Sequence, residues 1–461
     1  MSLYSQSLKS QVYEPRVDTA TRTEFRLDKD AVYLGNFKLQ VGCAGSAADM
    51  YNKAAGGAGL IRRISLYDGA TLLDECREAN RYLSWFNQGG PNDNNRYVSQ
   101  ELVRHEIGFS QTDDRIVTGQ SATGTKVIRI NTDSDLLQEQ TDCYLDLRVC
   151  LPFLNAIGVI DTALFDNLRL LIEYEDLSSV AGRAKVLVKN TATTLAKRRP
   201  LLVVDEVKEA GLKQKTRSQV KPFQWNVYEH DLVQIPEVVA TQGSSASESA
   251  AVDTVQSTSR VIDGFRNKYV SRMVMMKAYS NKNFNLVLNQ AQGTVVRGVG
   301  DYASNAQHKE KVQLVVNGRQ LFTGKGLEGA AQIADAHADA WGNYNIMPFT
   351  HQENVGMDTT GSSDGARHNC FGVPGTEAST PENDSRETRG GSVRVGQHSF
   401  IGIKVEDRLT GQLQLKYERS ASLDANAATY NATGAGLDLH VYAEIPKKFD
   451  LSGGKYSISY V

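Results

Sequence analysis

Hydrophobic and polar residues alternate with a period of two along much of the chain. In DCYLDLRVCL (142–151), Leu145, Leu147, Val149 and Leu151 fall on one face of an extended backbone, and Tyr144, Asp146 and Arg148 on the other. That spacing predicts a half-buried strand. Similar runs predict strands in AVYLGNFKLQVG (31–42), GLIRRISLYDG (59–69), GTKVIRIN (124–131), LRLLIEYE (168–175) and AKVLVK (184–189). They resume in FQWNVYEHDLVQI (223–235), NKYVSRMVMMKAYS (267–280), EKVQLVVNG (310–318), HSFIGIKV (398–405), GQLQLKYE (411–418), GLDLHVYAEI (436–445) and GKYSISYV (454–461). Helical signals are few and short. LLDECREANRYLSWF (72–86) is one, and PFLNAIGVIDTALFDNL (152–168) is another, with Pro152 suited to a first turn and Gly158 weakening the middle. Both read as connectors between strands.

Two patterns recur in the same order. ISLYDGATLL (64–73) and LVVNGRQLF (314–322) each run short apolar residues into Asp68-Gly69 or Asn317-Gly318, then reach a bulky apolar pair. Each predicts a hairpin with a type I′ turn, because Asp, Asn and Gly reach positive φ at the least steric cost. Gly69 and Gly318 lie 249 positions apart (318 − 69). A strand, connector and strand closing on Tyr-Glu occupy 144–175 and again 399–418, and Tyr174 and Tyr417 lie 243 apart (417 − 174). Nearly equal offsets predict a duplicated β-domain. Trp85, Trp225 and Trp341 read as core or helix anchors. Trp85 and Trp341 follow the two hairpins at 16 (85 − 69) and 23 (341 − 318) residues, which makes them candidates for equivalent positions.

With 461 residues the chain is long enough for two cores. Its 40% hydrophobic and 23% charged residues, with 51 basic against 53 acidic side chains, are those of a globular protein, which excludes a polycation that condenses nucleic acid. The five cysteines (Cys43, Cys76, Cys143, Cys150, Cys370) form no CxxC pair and no disulfide framework, so a reducing compartment is expected. No apolar run reaches membrane-spanning length, and the first residues lack the layout of a signal peptide. The sequons at Asn383 and Asn431 carry little weight in a chain expected not to be secreted.

The expected organisation is an amino-terminal arm (1–25) with no core of its own, ordered only against a partner, then two β-domains (26–215 and 216–461). The basic stretch KEAGLKQKTRSQVKPF (208–223) forms the passage between them. Residues 241–259 and 355–395, rich in Gly, Ser, Thr and Asp, are long surface loops of the second domain. An all-β chain of this kind, with many short strands per half, describes two tandem eight-stranded jelly rolls with a few short connector helices. Closing each sheet against another also hides the edges that would otherwise aggregate.

At LIRRISLYDGATLLDECREANRY (60–82), LDLRVCLPFLNAIGVIDTALFDNLRLLIEYE (145–175), LDLHVYAEIPKKFDL (437–451) and KYSISYV (455–461), the sequence resembles the double jelly-roll major capsid proteins of double-stranded DNA viruses, most closely those of polinton-like viruses, virophages and large algal viruses. The resemblance implies a homotrimer forming a pseudo-hexagonal capsomer of an icosahedral virion, assembled inside the host cell. Implied partners are neighbouring capsomers, penton and minor capsid or cement proteins, and the genome or an inner membrane, reached through the arm or the basic clusters Lys197-Arg198-Arg199 and Lys213, Lys215, Arg217. A tandem β-sandwich that binds glycans, as in a spike, is the alternative, although the two long loops contain almost no Trp or Tyr. A β-sandwich hydrolase is the enzyme alternative, and it lacks a converging acid pair.

No residue is expected to be catalytic, cofactor-binding or metal-ligating. GQSATGTK (119–126) puts Thr125 between the glycine and Lys126 and leads into a strand, unlike a phosphate loop. His105-Glu106 opens like a zinc-protease helix, but Phe109 stands where the second histidine is required. Asp335, His337 and Asp339 in ADAHADA would cluster on a strand; in the helix that the alanines favour they fan out. The other histidines are scattered, and the basic clusters lack the aromatic residues that stack bases.

Overall fold

The computed structural model describes residues 8–44, 59–89, 143–179, 196–218, 220–236, 254–279, 311–341, 356–358, 367–369, 400–421, 437–452 and 455–461. Its first half contains β1 (Leu8–Tyr13), β2 (Val17–Asp18), β3 (Arg22–Arg26), β4 (Val32–Val41), β5 (Cys43–Ala44), β6 (Ile61–Asp68), β7 (Thr71–Arg77), β8 (Cys143–Asp146), β9 (Val159–Asp161), β10 (Leu168–Tyr174), β11 (Ala196–Lys197) and β12 (Leu201–Val207). Helices α1 (Ala79–Gly89), α2 (Leu147–Cys150), α3 (Pro152–Ile157) and α4 (Ala210–Arg217) punctuate them. The second half contains β13 (Phe223–Ile235), β14 (Thr254–Ile262), β15 (Tyr269–Tyr279), β16 (Lys311–Val316), β17 (Arg319–Gln320), β18 (Leu327–Glu328), α5 (Gly329–Trp341), β19 (Gly356–Asp358), β20 (Arg367–Asn369), β21 (Phe400–Arg408), β22 (Leu413–Ala421), β23 (Leu437–Ser452) and β24 (Lys455–Tyr460).

Pairing stays within each half. In the first, one sheet runs β1-β12-β4-β8, with β9 also on β4, and the other runs β2-β3-β10-β6-β7. In the second, the sheets run β13-β23-β15-β21, with β24 on β23, and β14-β22-β16-β17, with β18 on β16. Take the eight principal strands of each half in chain order, with β8 and β9 as two pieces of one strand. Both halves then read 1-8-3-6 in one sheet and 2-7-4-5 in the other, all antiparallel, which is the jelly-roll order. The two sequence repeats occupy matching places: β6–β7 and β16–β17 are the fourth and fifth strands, and β10 and β22 the seventh.

Alternation fills the interiors. Leu168, Leu170, Ile172 and Tyr174 of β10 point inward with Ile64 and Leu66 of β6; Leu413, Leu415 and Tyr417 of β22 do so with Val312, Leu314 and Val316 of β16. At about 25 cal/mol per Å² of apolar surface, such burial is the main stabilising term of each half.

Several local expectations are corrected. The helix expected from Leu72 begins at Ala79, because Thr71–Arg77 pairs with β6; Glu78, at φ 47°, marks the break. Residues 144–151 form a strand only to Asp146, whose carboxylate accepts the Arg148 N–H at 3.0 Å and caps α2. Leu147 and Cys150 are buried one turn apart, a spacing the period-two pattern hid. Gly158, at φ 64°, ends α3 rather than weakening its middle, and the chain returns to β4 as β9. The first hairpin turns one residue later than expected. Asp68 pairs with Thr71, so the loop is Gly69-Ala70 with positive φ at Gly69 alone, whereas Asn317 (51°) and Gly318 (81°) make the expected type I′ loop.

Within the expected coreless arm (1–25), residues 8–13, 17–18 and 22–25 are strand: β1 pairs with β12, β3 with β10, and Phe25 is buried. Strand β12, the eighth of the first half, was not among those expected from the alternation. Helix α4 lies in the stretch expected as an unpatterned passage, and the expected division at 215/216 falls within it. Strand β14 takes residues 254–259 from the expected loop, and β19–β20 form a short ribbon within 355–395. The expected strands at 124–131 and 184–189, GQSATGTK, His105-Glu106, Asn383, Asn431 and the rest of both long loops lie outside the described residues.

Candidate functional site: the junction between the halves

The outer face of the β13-β23-β15 sheet is covered by the first half. Tyr228 and His230 of β13, His440, Tyr442 and Glu444 of β23, and Arg272 and Val274 of β15 share this face; the opposite face supplies Leu439, Val441, Ala443 and Met273 to the core. Helix α1 lies on the outer face. Its Tyr82 ring sits 5.3 Å from Tyr228 and 5.8 Å from Tyr442, and Trp85 meets Trp341 of α5 edge-on at 4.7 Å. The Tyr442 hydroxyl donates to the backbone carbonyls of Arg77 (3.2 Å) and Glu78 (2.9 Å), where the chain leaves β7 for α1. Trp85 and Trp341, proposed equivalents in sequence, therefore sit on helices that follow the fifth strand of each half, and they touch.

Polar groups register this apolar contact. The Trp85 indole N–H donates to Nε2 of His337 at 3.2 Å, a bond that requires the neutral imidazole. Burial pushes the His337 pKa down to about 4. His230 and His440 stack with Nε2 and Nδ1 3.0 Å apart, and burial holds His230 down to about 4 as well. Arg272 pairs with buried Glu444, which also accepts from Asn226 Nδ2 at 3.0 Å. The same guanidinium lies 4.2 Å above the Trp341 ring and donates to the Ala340 carbonyl at 3.1 Å, so it fastens the end of α5 to the sheet. At Gly402 of β21 a Cβ would lie 2.7 Å from His337 Cα, so glycine is what lets α5 approach this closely.

A second contact lies along the same boundary. Phe153 of α3 packs against Phe223, Trp225 and Phe449 at 5.7, 5.3 and 5.9 Å. Asp74 of β7 is buried and accepts the Phe153 and Glu75 N–H groups at 2.8 and 3.0 Å; burial raises its pKa to about 7 despite these bonds and nearby Lys447. Beyond it, the Tyr456 hydroxyl of β24 donates to Asp68 in the first-half hairpin at 2.7 Å. The insert α2–α3, which splits the sixth strand of the first half, thus supplies one of the contacts to the second half.

The residues singled out in sequence separate here. Asp335 and Asp339 are exposed on α5, while His337 turns into the junction, so the three do not converge. Lys197 pairs with Asp18 (2.5 Å), Arg199 with Glu14 (2.8 Å), Lys213 with Glu206 (3.6 Å) and Arg217 with Asp161 (3.1 Å), which leaves Lys215 as an exposed cation on α4. His368 lies in β20, and His308, His351 and His398 fall outside the described residues. Among the described residues no three His, Cys, Asp or Glu side chains gather as metal ligands, and no helix is long and apolar enough to cross a membrane. Sequence reasoning missed Asp74, Arg272, Glu444, His230 and His440 as junction residues. A charged or imidazole side chain at an alternating strand position signals an outward face, not that a second domain covers it.

Two jelly rolls of the same strand order, joined through such a boundary, make this a double jelly-roll chain. The PBCV-1 virus capsid has the same fold: a quasi-atomic model of it matches 98% of this chain and 97% of its own, with a TM-score of 0.50 at 10% identity. The structure of the Sputnik virophage gives 0.49 at 8% identity over 99% of this chain and 88% of its own, and the mavirus major capsid protein 0.48 at 9% over 98% and 90%. The resemblance expected from sequence is thus met in the fold. No protein-family model and no curated protein matches the chain.

Proposed function

We propose that the chain is a major capsid protein that homotrimerises into pseudo-hexagonal capsomers and builds the icosahedral shell of a double-stranded DNA virus. The observation that carries this reading is the pair of jelly rolls with one strand order, held side by side in the fold of the PBCV-1 virus capsid. Its mechanism is geometric. The buried junction holds two barrels as one block, so that contacts made by either barrel are transmitted to the other, and weak contacts multiply over many copies. The division into domains near residues 215–216 belongs to this proposal, as do neighbouring capsomers and penton and minor capsid proteins as partners. Contact with a genome or inner membrane has thinner support, because four of the six basic-cluster side chains face carboxylates of their own chain. Expression of the full chain tests the reading: a particle of three times 50.6 kDa that forms sheets or shells in the electron microscope is expected, and a concentration-independent monomer contradicts it.

A further inference from the structure

Two thiols meet inside the first half. Asp74 and Cys76 of β7 stand opposite Leu66 and Ile64 of β6, so all four share the inward face of that sheet, and all are buried. The α2–α3 insert lies against this face. Asp74 accepts the Phe153 N–H at 2.8 Å, and the next residue on its side of β7, Cys76, meets Cys150, about one turn before Phe153. Hydrogen bonds on either side hold the pair in place. The Tyr82 hydroxyl donates to the carbonyl of Val149, next to Cys150, at 3.1 Å, and the Tyr442 hydroxyl to that of Arg77, next to Cys76, at 3.2 Å. Both cysteines are buried free thiols. They lie 74 positions apart (150 − 76), so no short cysteine motif joins them in sequence.

We propose that Cys76 and Cys150 are a redox pair that closes into a disulfide when the protein leaves a reducing compartment, fastening the two sheets of the first jelly roll to each other. Strand β7 belongs to one sheet, whereas α2–α3 is continuous with β8 and β9 of the other, so the bond crosses between sheets. The oxidant is a small-molecule disulfide, RSSR. The thiolate of one cysteine attacks it and expels RS⁻, which takes up that cysteine's proton; the second cysteine then displaces the remaining RS group in the same way. The protein's two thiol hydrogens end on two RSH, and RSSR is reduced as the protein disulfide forms. Burial, with the Cys150 neighbour adding to it, pushes the Cys76 thiol up, so little thiolate forms and the reaction waits on opening of the insert. The same burial shields the finished bond. A pair reduced inside a cell and oxidised outside it suits a protein assembled in one medium and released into the other, as the capsid reading requires, but the chemistry itself needs no assembly.

Peptide mapping of the full chain tests it. The reduced protein is held below its melting temperature with oxidised glutathione, then unfolded in an alkylating reagent and digested. A peptide pair linked through Cys76 and Cys150 is expected, with Cys43, Cys143 and Cys370 alkylated. The oxidised protein is expected to melt at least about 3 °C above the reduced one, because the bond closes a long loop in the unfolded chain. That difference should vanish in Cys76→Ala and in Cys150→Ala. Recovery of both thiols alkylated, or only as mixed disulfides with glutathione, overturns the pair, as does linkage of either to a different cysteine. A linked pair with no rise in melting temperature overturns the fastening of the sheets. Each of these results leaves the capsid reading standing, and a chain that never assembles leaves the bond standing. If an alanine variant misfolds, the wild-type map and its two melting temperatures decide alone.

Discussion

The indole N–H of Trp85, on a helix of the first half, donates to Nε2 of His337, on the topologically equivalent helix of the second, across 3.2 Å. One hydrogen bond thus joins equivalent helices of the two copies of an internal repeat. Trp85→Phe keeps most of the ring volume and removes the donor, so a loss of about 1–2 kcal/mol is expected. Urea unfolding of Trp85→Phe, His337→Phe and the double variant should give a coupling energy. Strict additivity would show that the bond contributes nothing.

The junction histidines make stability depend on pH. Both His230 and His337 have pKa values lowered to about 4, against 6.5 for the free side chain, so between those values the unfolded chain binds more protons. Their contribution is therefore complete above about pH 6.5 and declines as pH falls toward 4, by roughly 2–3 kcal/mol for each histidine. Asp74, raised to about 7, acts in the opposite sense: its ionisation costs stability as pH rises from 3.8 to 7. Denaturant midpoints from pH 8 to 4 should fall less steeply in His337→Gln than in the wild type. Parallel curves would refute the assignment.

Arg272 and Glu444 should fail singly and recover together. Arg272→Met strands the buried Glu444 carboxylate and is expected to cost about 3–5 kcal/mol, while Arg272→Met/Glu444→Met removes the uncompensated charge and regains much of it. Thermal unfolding of the three variants measures this. A double variant no more stable than its worse parent would contradict the pairing.

Gly402→Ala places a methyl group 2.7 Å from His337 Cα. Because backbone cannot give way as a flexible side chain does, α5 must lift, at an expected cost of about 1–3 kcal/mol. Changed fluorescence from the Trp85–Trp341 pair would report the shift; an unaltered spectrum and melting temperature would exclude it.

Much of this fold was legible from period-two alternation and turn chemistry. Leu168–Tyr174 and Leu413–Tyr417 occupy equivalent seventh strands, as their shared pattern implied. Reading failed where local and tertiary preferences diverge. Leu72–Arg77 has helix-forming residues, but pairing with Ile61–Asp68 makes it a strand. Leu147 and Leu151 satisfy both a strand and a helical period, and only the Asp146 cap and Pro152 separate the two. The boundary between halves was least legible, since Tyr82, Tyr228 and Tyr442 are amphipathic residues whose burial depends on a partner far away in sequence. The tryptophan equivalence was the one signal that pointed there, through spacing from the hairpins.

The split sixth strand has a bearing on symmetry. Among the described residues only the first half carries such an insert, α2–α3, so the two barrels of one molecule are not interchangeable, despite their common strand order. Any closed assembly built from such molecules acquires a direction of travel around its circumference, and a molecule inserted backwards would meet its neighbour with the wrong barrel.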